Sequence, residues 1–206
     1  MDGLREQRPR LIVCMTGATG AIYGVRLLEA LRDVPVETHL VVSRWAETTI
    51  AAETEWKVRQ VRELADVSYD EHDLAAPLSS GSFATAAMIV APCSMHTLAA
   101  VANGISGNLI QRAAEVHLQE RRKLVLLVRE SPLSVIHLEN MLRVARAGAL
   151  IAPPVPAFYA RLRSLDDMVD HTVGRVLDLV GVEHQLVRRW GDRRQPALLP
   201  LDGEGA

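Results

Sequence analysis

The chain has 206 residues, of which 49% are hydrophobic and 23% charged, a composition typical of one globular domain with a full core. Its formal net charge of -2 argues against nucleic acid as the main partner, because proteins that hold phosphate backbones usually present a basic face. The start of the chain is charged and leads into an apolar stretch too short for a membrane helix. The two cysteines, Cys14 and Cys93, lie in apolar runs and predict reduced thiols in the cytoplasm.

Strand-like and helix-like segments alternate along the chain. Apolar runs rich in β-branched residues predict strands over 10–15, 36–43, 86–94 and 124–130, and a fifth strand that begins at 149 and breaks at Pro153. Apolar residues at helical spacing predict helices over 21–34, 44–54, 95–104, 109–120, 134–148 and 164–181, with a short last helix over 183–191. Residues 57–76 carry no clear pattern, and 193–206 are predicted to be a flexible tail outside a single domain that spans 1–192.

This alternation predicts an α/β fold built on a doubly wound, mostly parallel sheet. The helix over 164–181 has the clearest end signals, because Ser164 is a typical N-cap, acidic residues follow in the first turn, and Gly181 ends the pattern. Gly104 similarly predicts the end of the helix that follows the third strand. Ligands of this architecture bind beyond the carboxyl ends of the strands, where successive loops share one edge.

Glycines, hydroxyls and charged side chains collect at these strand ends. The segments are TGATG (16–20), Ser43, PCSMHT (92–97) and RESPL (129–133). Gly17 and Gly20 allow close approach of the backbone, and the helix that follows them is expected to present free N–H groups to an anion. A tight connection or a helix cap explains each feature equally well when it is taken alone. Four such segments at one edge predict a binding site.

Longer motifs, in the same order along the chain, resemble the flavin prenyltransferases of the UbiX type. They are MTGATGAIYGVRLL, SGS, APCSMHTLAAVANG, NLIQRAAEVHLQERRKLVLLVRESPLSVIHLENM and PPVPAFY, together with a closing stretch that contains Arg175 and Trp190. The resemblance extends over residues 11–191, and the block from NLIQRA to HLENM is its most specific part.

The resemblance implies a single-domain, flavodoxin-like or Rossmann-like three-layer sandwich that assembles as a homododecamer and uses no metal. It also implies an activity, the transfer of a dimethylallyl group from dimethylallyl monophosphate to reduced FMN. The product, prenylated FMN, would serve a decarboxylase of the UbiD type. FMN and a small prenyl phosphate are therefore the expected ligands, and neither nucleic acid nor a membrane is an expected partner.

Residue roles follow from the resemblance, position by position. FMN is expected to contact Gly17, Ala18, Thr19, Ser43, Ser94, Met95, His96, Thr97 and Arg129. The prenyl phosphate is expected to contact Arg112, Gln119, Tyr159 and Arg175, with Arg112 reaching across a subunit contact and Arg129 touching both ligands. Catalytic roles are expected for Glu53 beside the reacting edge of the flavin, Glu130 as the acid at the departing phosphate, Thr19, and Trp190 as a π face for an allyl cation. Fixed cations and hydroxyls suit this reaction, because negative charge grows on the departing phosphate.

Two positions depart from the family pattern. Gln119 stands where the family commonly has a Lys in an LKERR context. Losing that cation is expected to weaken binding of the prenyl phosphate by about 1–3 kcal/mol, unless one of the basic residues at 121–123 compensates. Leu74 stands where well-known relatives have a Trp before the SGS loop, so one aromatic ring is missing there.

Ordinary structural roles remain open for several of these side chains. Glu130 could complement the dipole of the helix that follows it, and Arg112 could be one half of a surface ion pair. Cys93 lacks an evident base partner and is expected to be a core residue. The histidines on the predicted helices do not form a metal-binding pattern, and His137 is expected to pack or to cap its helix.

Two other functions remain open from the sequence. An FMN-dependent decarboxylase of peptidyl or pantothenoyl cysteine would share this kind of sandwich, but its early catalytic His and its PxMN-type motif are missing from the chain. An FMN carrier or accessory subunit without prenyl transfer is the second alternative, and it is favoured by Gln119 and Leu74.

Overall fold

The computed structural model describes residues 8–187, and in this range the chain forms a fully parallel sheet of six strands with helices on both faces. The sheet has the order β3-β2-β1-β4-β5-β6. Its strands are β1 (Arg10–Met15), β2 (Glu37–Val42), β3 (Val67–Tyr69), β4 (Ala87–Cys93), β5 (Lys123–Val128) and β6 (Leu150–Ile151). The helices are α1 (Ala21–Leu31), α2 (Arg44–Glu53), α3 (Val58–Arg62), α4 (Met95–Ala102), α5 (Leu109–Gln119), α6 (Val135–Ala147) and α7 (Leu165–Val180). None of these helices is long and apolar enough to cross a membrane.

The sheet is buried on both faces because successive strand residues alternate between two apolar cores. In β1, Leu11 and Val13 belong to the core under α1, α2 and α7, whereas Ile12 and Cys14 belong to the core under α4, α5 and α6. β4 and β5 alternate in the same way. The result is the predicted three-layer, doubly wound sandwich.

Side-chain caps fix where most helices begin. At the N-cap of five helices a side-chain oxygen accepts the backbone N–H three residues further on, as expected for this position. These caps are Ser43, Ser94, Asn108, Ser134 and Ser164. The predicted ends of α7 are confirmed, since Ser164 caps it and Gly181 closes it with a φ of 80°.

The structure differs from the sequence-based prediction in three places. Residues 57–76, which had no clear pattern, contain α3 and the short edge strand β3. The predicted fifth strand is only two residues long, because the chain leaves the sheet before Pro153 and Pro154, which lack backbone N–H groups. Residues 183–187 are not helical, and the rest of the predicted last helix lies outside the described residues, as do Trp190 and the predicted tail.

Candidate functional site

The loops that follow β1 and β4 meet at the centre of the sheet. These strands are neighbours, and the helices that follow them lie on opposite faces. Their carboxyl ends are therefore the switch point of the sheet, where ligands of this architecture bind in a crevice. Thr16 joins the two loops. Its buried hydroxyl donates to the carbonyl of Pro92 and accepts the N–H of Ser94, both at 2.8 Å. Thr16 therefore ties the loops after β1 and β4 to each other at this crevice.

The N-terminus of α1 is occupied by a carboxylate from another helix. Glu53, the last residue of α2, accepts the N–H groups of Gly20 at 2.8 Å and Ala21 at 3.0 Å through Oε2. The expectation that α1 presents free N–H groups to an anion is therefore wrong for these two groups. A negative charge at this end also complements the helix dipole.

The N-terminus of α2 is likewise engaged by a protein carboxylate. Ser43 caps the helix by accepting the N–H of Ala46 at 3.1 Å, and the N–H of Arg44 donates to Oε1 of Glu71 at 2.6 Å. Trp45 packs so closely on Gly17 that a Cβ added to the glycine would lie 2.3 Å from the Trp45 Cβ. A glycine at position 17 thus lets the loop after β1 approach the first turn of α2.

The N-terminus of α4 is different, because no carboxylate of the described part of the chain accepts a hydrogen bond from it. Within residues 8–187 the N–H groups of Met95 and His96 donate to no protein acceptor, whereas the N–H of Thr97 donates to the Ser94 hydroxyl at 3.2 Å. Arg129 lies beside this end, since its backbone N–H donates to the carbonyl of Cys93 at 3.3 Å. Its guanidinium makes no hydrogen bond or ion pair with any described residue. Free N–H groups, next to a loop that carries an arginine, fit the phosphate group of a nucleotide such as FMN.

Glu130 follows Arg129 into the same loop and is exposed. Its Oε1 accepts the N–H of the next residue, Ser131, at 2.9 Å. α6 begins only at Val135 with Ser134 as its cap, so Glu130 lies outside the first turn of that helix. The alternative in which Glu130 complements the helix dipole is therefore not supported by the geometry. His137 completes the cap by accepting the N–H of Ser134, as expected for a capping role.

Tyr159, in the loop before α7, and Arg175, on α7, belong to a second group of side chains around His171. The Tyr159 ring stands edge-on to the ring of His171, with centroids 6.0 Å apart, and Arg175 follows one helical turn later. His171 is 8% exposed, and its Nε2 has no hydrogen-bond partner among the described residues. Burial, and then the charge of Arg175, lower its pKa. Sequence reasoning missed His171, although its four-residue spacing from Arg175 places both on one helix face.

Arg112 and Gln119 lie on α5, near its start and at its end. Arg112 donates to the carbonyl of Ser79 at 3.1 Å and pairs with Glu115 at 2.9 Å, and the Gln119 amide donates to Glu115 at 3.2 Å. Arg112 is therefore half of an ion pair, as one of the alternatives from the sequence expected. Arg122 is not available to replace the missing lysine, because its guanidinium donates to the carbonyls of the loop at 81–83.

The cysteines are buried and unpaired. Burial raises the pKa of Cys93 to about 12, so its thiol stays protonated at neutral pH, as expected for a core residue. Burial raises the pKa of Cys14 as well. Neither thiol therefore supplies a nucleophile.

Comparisons with known proteins show the family and the fold of the chain. A family model described as Flavoprotein matches residues 3–177. A probable UbiX-like flavin prenyltransferase of Bacillus subtilis (strain 168) is 56% identical over 181 residues, covering 88% of this chain and 89% of that protein. The crystal structure of AnUbiX (PadA1) in complex with FMN and dimethylallyl pyrophosphate matches with a TM-score of 0.88 and 56% identity over 89% of this chain and 97% of that one. A dodecameric FMN-dependent UbiX-like decarboxylase from Escherichia coli O157:H7 matches with a TM-score of 0.86 and 58% identity over 88% and 98% of the two chains.

Proposed function

The chain belongs to the family of UbiX-type flavin prenyltransferases, and from this premise we propose that it transfers a dimethylallyl group from dimethylallyl monophosphate to reduced FMN. The product is prenylated FMN, which a decarboxylase of the UbiD type would use. Bound FMN supplies the nucleophile, so no side-chain nucleophile is needed. The protein contributes binding, orientation and proton transfer.

One observation carries the proposal for the FMN site, namely the contrast between three helix N-termini at the rim. α1 and α2 are engaged by Glu53 and Glu71, whereas the first N–H groups of α4 donate to no protein acceptor within residues 8–187. Arg129 follows β5 next to α4, and its guanidinium pairs with no residue among 8–187. We assign the FMN phosphate to this end of α4, and the flavin to the loop at 17–19 that lies across the crevice.

The exposed carboxyl groups at the rim are suited to proton transfer. Glu53 accepts the N–H of Gly20, the residue that follows Thr19 in the chain. This contact supports the proposed role of Glu53 at the reacting edge of the flavin. Glu130 lies beside Arg129, and in the proposal it gives a proton to the departing phosphate. Arg129, Tyr159 and Arg175 stabilise the negative charge that grows on that phosphate.

The contribution of Arg112 and Gln119 requires a second subunit in this proposal. Within its own chain Arg112 contacts Glu115 and the Ser79 carbonyl, and Gln119 contacts Glu115. In the proposal, both side chains complete the prenyl phosphate site of a neighbouring copy. α6 supplies an apolar contact surface for such an assembly, because only Val144 of this helix is buried in the chain. Its exposed apolar residues are Val135, Ile136, Leu138 and Leu142. We therefore propose a homo-oligomer, with twelve subunits as in the structural neighbour from Escherichia coli O157:H7.

To test the proposal, the protein is mixed anaerobically with reduced FMN and dimethylallyl monophosphate. The mass of the released cofactor is then measured by mass spectrometry. A gain of one C5H8 unit is expected. A parallel reaction with dimethylallyl diphosphate shows which prenyl phosphate is preferred. FMN that returns unchanged from a protein that binds it tightly would instead identify a carrier.

The two alternatives have weaker support. A cysteine-type decarboxylase is not favoured, because the matched prenyltransferases cover most of the chain at more than half identity. A carrier has only the departures at Gln119 and Leu74 in its favour. A cytoplasmic location and independence from metal remain part of the proposal, and the two unpaired cysteines fit a reducing compartment.

A further inference from the structure

Among residues 8–187, Asp178 on α7 contacts the side chains of Arg175 and His184 through its two carboxylate oxygens. Oδ2 accepts Nη1 of Arg175 at 2.7 Å, and Oδ1 lies 3.1 Å from Nε2 of His184. Arg175 and Asp178 are three residues apart on the helix, so their side chains share one face. Asp178 thus links a residue assigned to the prenyl phosphate with the segment that follows α7.

The proton of His184 is placed by its second contact. The backbone N–H of Leu186 donates to Nδ1 at 3.1 Å, so Nδ1 acts as an acceptor and the proton resides on Nε2. Nε2 therefore donates to Asp178. The His184 side chain is 3% exposed and the Asp178 side chain 19% exposed, so both are shielded from water.

Gly174 allows His184 to reach Asp178, because it lies where the segment at 182–187 crosses α7. A Cβ at Gly174 would lie 2.7 Å from Cε1 of His184 and 2.2 Å from Cγ2 of Val187. Either distance is too short for a real side chain, so only glycine lets the segment lie on the helix here. The segment at 182–187 is further tied to α7 by the N–H of Val182, which donates to the carbonyl of Leu177 at 3.0 Å.

We propose that Asp178 is a positioning residue that orients the Arg175 guanidinium toward the prenyl phosphate, and that His184 holds Asp178 in place. The Arg175 side chain is 56% exposed, so without a fixed partner it would lose considerable rotational freedom on binding a phosphate. A guanidinium held at one nitrogen still has further N–H groups to donate. The segment at 182–187 is thereby part of the machinery that prepares the phosphate site. This inference rests on the proposed function of Arg175.

The test measures the dissociation constant of dimethylallyl monophosphate by calorimetry, on full-length protein loaded with oxidised FMN so that no turnover occurs. Asp178→Asn is expected to weaken binding by about tenfold, because a neutral amide holds the Arg175 guanidinium less firmly than the carboxylate does. Asp170→Asn is the matched control. It lies on the same helix and pairs with another arginine, Arg26, at 2.5 Å, so it is expected to change the constant less than twofold.

A double-mutant cycle separates positioning from a general loss of structure. If Asp178 acts through Arg175, then Asp178→Asn adds nothing to the loss already caused by Arg175→Ala. His184→Gln keeps an N–H donor and is expected to bind like the wild type, whereas His184→Ala is expected to bind roughly threefold more weakly. Thermal melting and FMN content of each variant show that the site remains folded.

Three results would overturn the inference. The first is an Asp178→Asn variant that binds dimethylallyl monophosphate like the wild type while Arg175→Ala binds it weakly. That result would leave the proposed function of Arg175 in place. The second is an Asp178→Asn loss that persists in full on the Arg175→Ala background. The third is wild-type binding in Arg175→Ala, which removes Arg175 itself from the phosphate site and so shows that the assignment of that residue has failed.

Discussion

Glu53 and Gly20 are 33 residues apart in the chain, yet the Glu53 carboxylate accepts the Gly20 N–H at 2.8 Å. The bond closes α2 onto the N-terminus of α1, directly beside the glycine turn that follows β1. A carboxylate in this position stabilises α1 and also stands where the flavin is proposed to react. Glu53 therefore has two roles, a structural one at the start of α1 and a proposed catalytic one at the flavin.

Glu53→Gln separates the structural role from the catalytic role, because it keeps a hydrogen-bond acceptor and removes the charge. The variant is expected to lose about 0.5–1 kcal/mol of folding free energy, because the helix dipole loses its counter-charge. Prenyl transfer is expected to slow by about tenfold or more, since the proton-transfer group is gone. Urea unfolding and single-turnover mass spectrometry measure the two effects. Glu55→Gln, a nearby exposed control, should change neither, and unchanged turnover in Glu53→Gln would remove this residue from the chemistry.

Arg129→Ala tests the proposed FMN phosphate site. The variant is expected to bind FMN about tenfold to a hundredfold more weakly, because a charge-assisted hydrogen bond to phosphate contributes about 1.5–3 kcal/mol. Fluorescence titration of FMN gives the dissociation constant. Arg59→Ala, which removes an exposed arginine paired with Glu63, should bind FMN normally. Equal affinity in Arg129→Ala and the wild type would place the phosphate elsewhere.

Gln119→Lys restores the cation that the family commonly has at this position. A lysine here would also face Glu115, the present partner of the Gln119 amide. The variant is expected to lower the KM for dimethylallyl monophosphate by roughly threefold to tenfold, with little effect on FMN affinity. Gln119→Met, which has a similar length and no charge, should leave the KM unchanged or raised. A KM that does not respond to the lysine would mean that position 119 lies outside the phosphate site.

His117 makes the fold sensitive to acid. Burial lowers its pKa from the ordinary 6.5 to about 4, and its neutral ring lies between the Thr85 hydroxyl at 3.0 Å and the Ala113 carbonyl at 2.8 Å. The unfolded chain therefore takes up a proton before the folded chain does, so stability is lost as the pH falls from 6.5 toward 4. The loss is at most about 3 kcal/mol from this group. His39, whose pKa is also lowered by burial, acts in the same direction.

Unfolding in urea across this pH range measures the effect. His117→Gln is expected to flatten the pH dependence, whereas His72→Gln, which replaces a side chain that is 78% exposed, should leave the slope as it is. A wild-type slope in His117→Gln would show that this ring is not the group that titrates.

α6 is expected to be the contact surface between subunits. Ile136 is 67% exposed in the single chain, and burying a side chain of this size in a contact contributes about 1.5–3 kcal/mol. Ile136→Glu should therefore dissociate the assembly, as measured by light scattering after size exclusion. Arg32→Glu, a charge change on the distant end of α1, should leave the mass unchanged. An intact assembly in Ile136→Glu would place the contact on another surface.

The sequence predicts the rim of the site well because its signals are local. Strand periodicity, a glycine turn after β1 and caps such as Ser94 depend only on neighbouring residues, so the four loops at the carboxyl edge follow from pattern alone. α7 is predicted with both ends for the same reason. β3 has only three residues at a sheet edge, too few to establish a period of two.

The sequence does not predict which helix end remains open to an anion. That depends on Glu53 and Glu71, which reach α1 and α2 from 33 and 27 residues away in the chain. His171 was missed for a similar reason. A histidine on an amphipathic helix shows its unpaired nitrogen only once the neighbouring elements are in place.

The central claim is that the FMN phosphate lies at the start of α4, with the prenyl phosphate beside Arg129 in the same crevice. A crystal structure of the full chain with oxidised FMN and dimethylallyl monophosphate tests it most directly. We expect phosphate oxygens of FMN within hydrogen-bond distance of the N–H groups of Met95 and His96, with Glu53 still bound to Gly20. An FMN phosphate that instead displaces Glu53 from the start of α1 would contradict the claim.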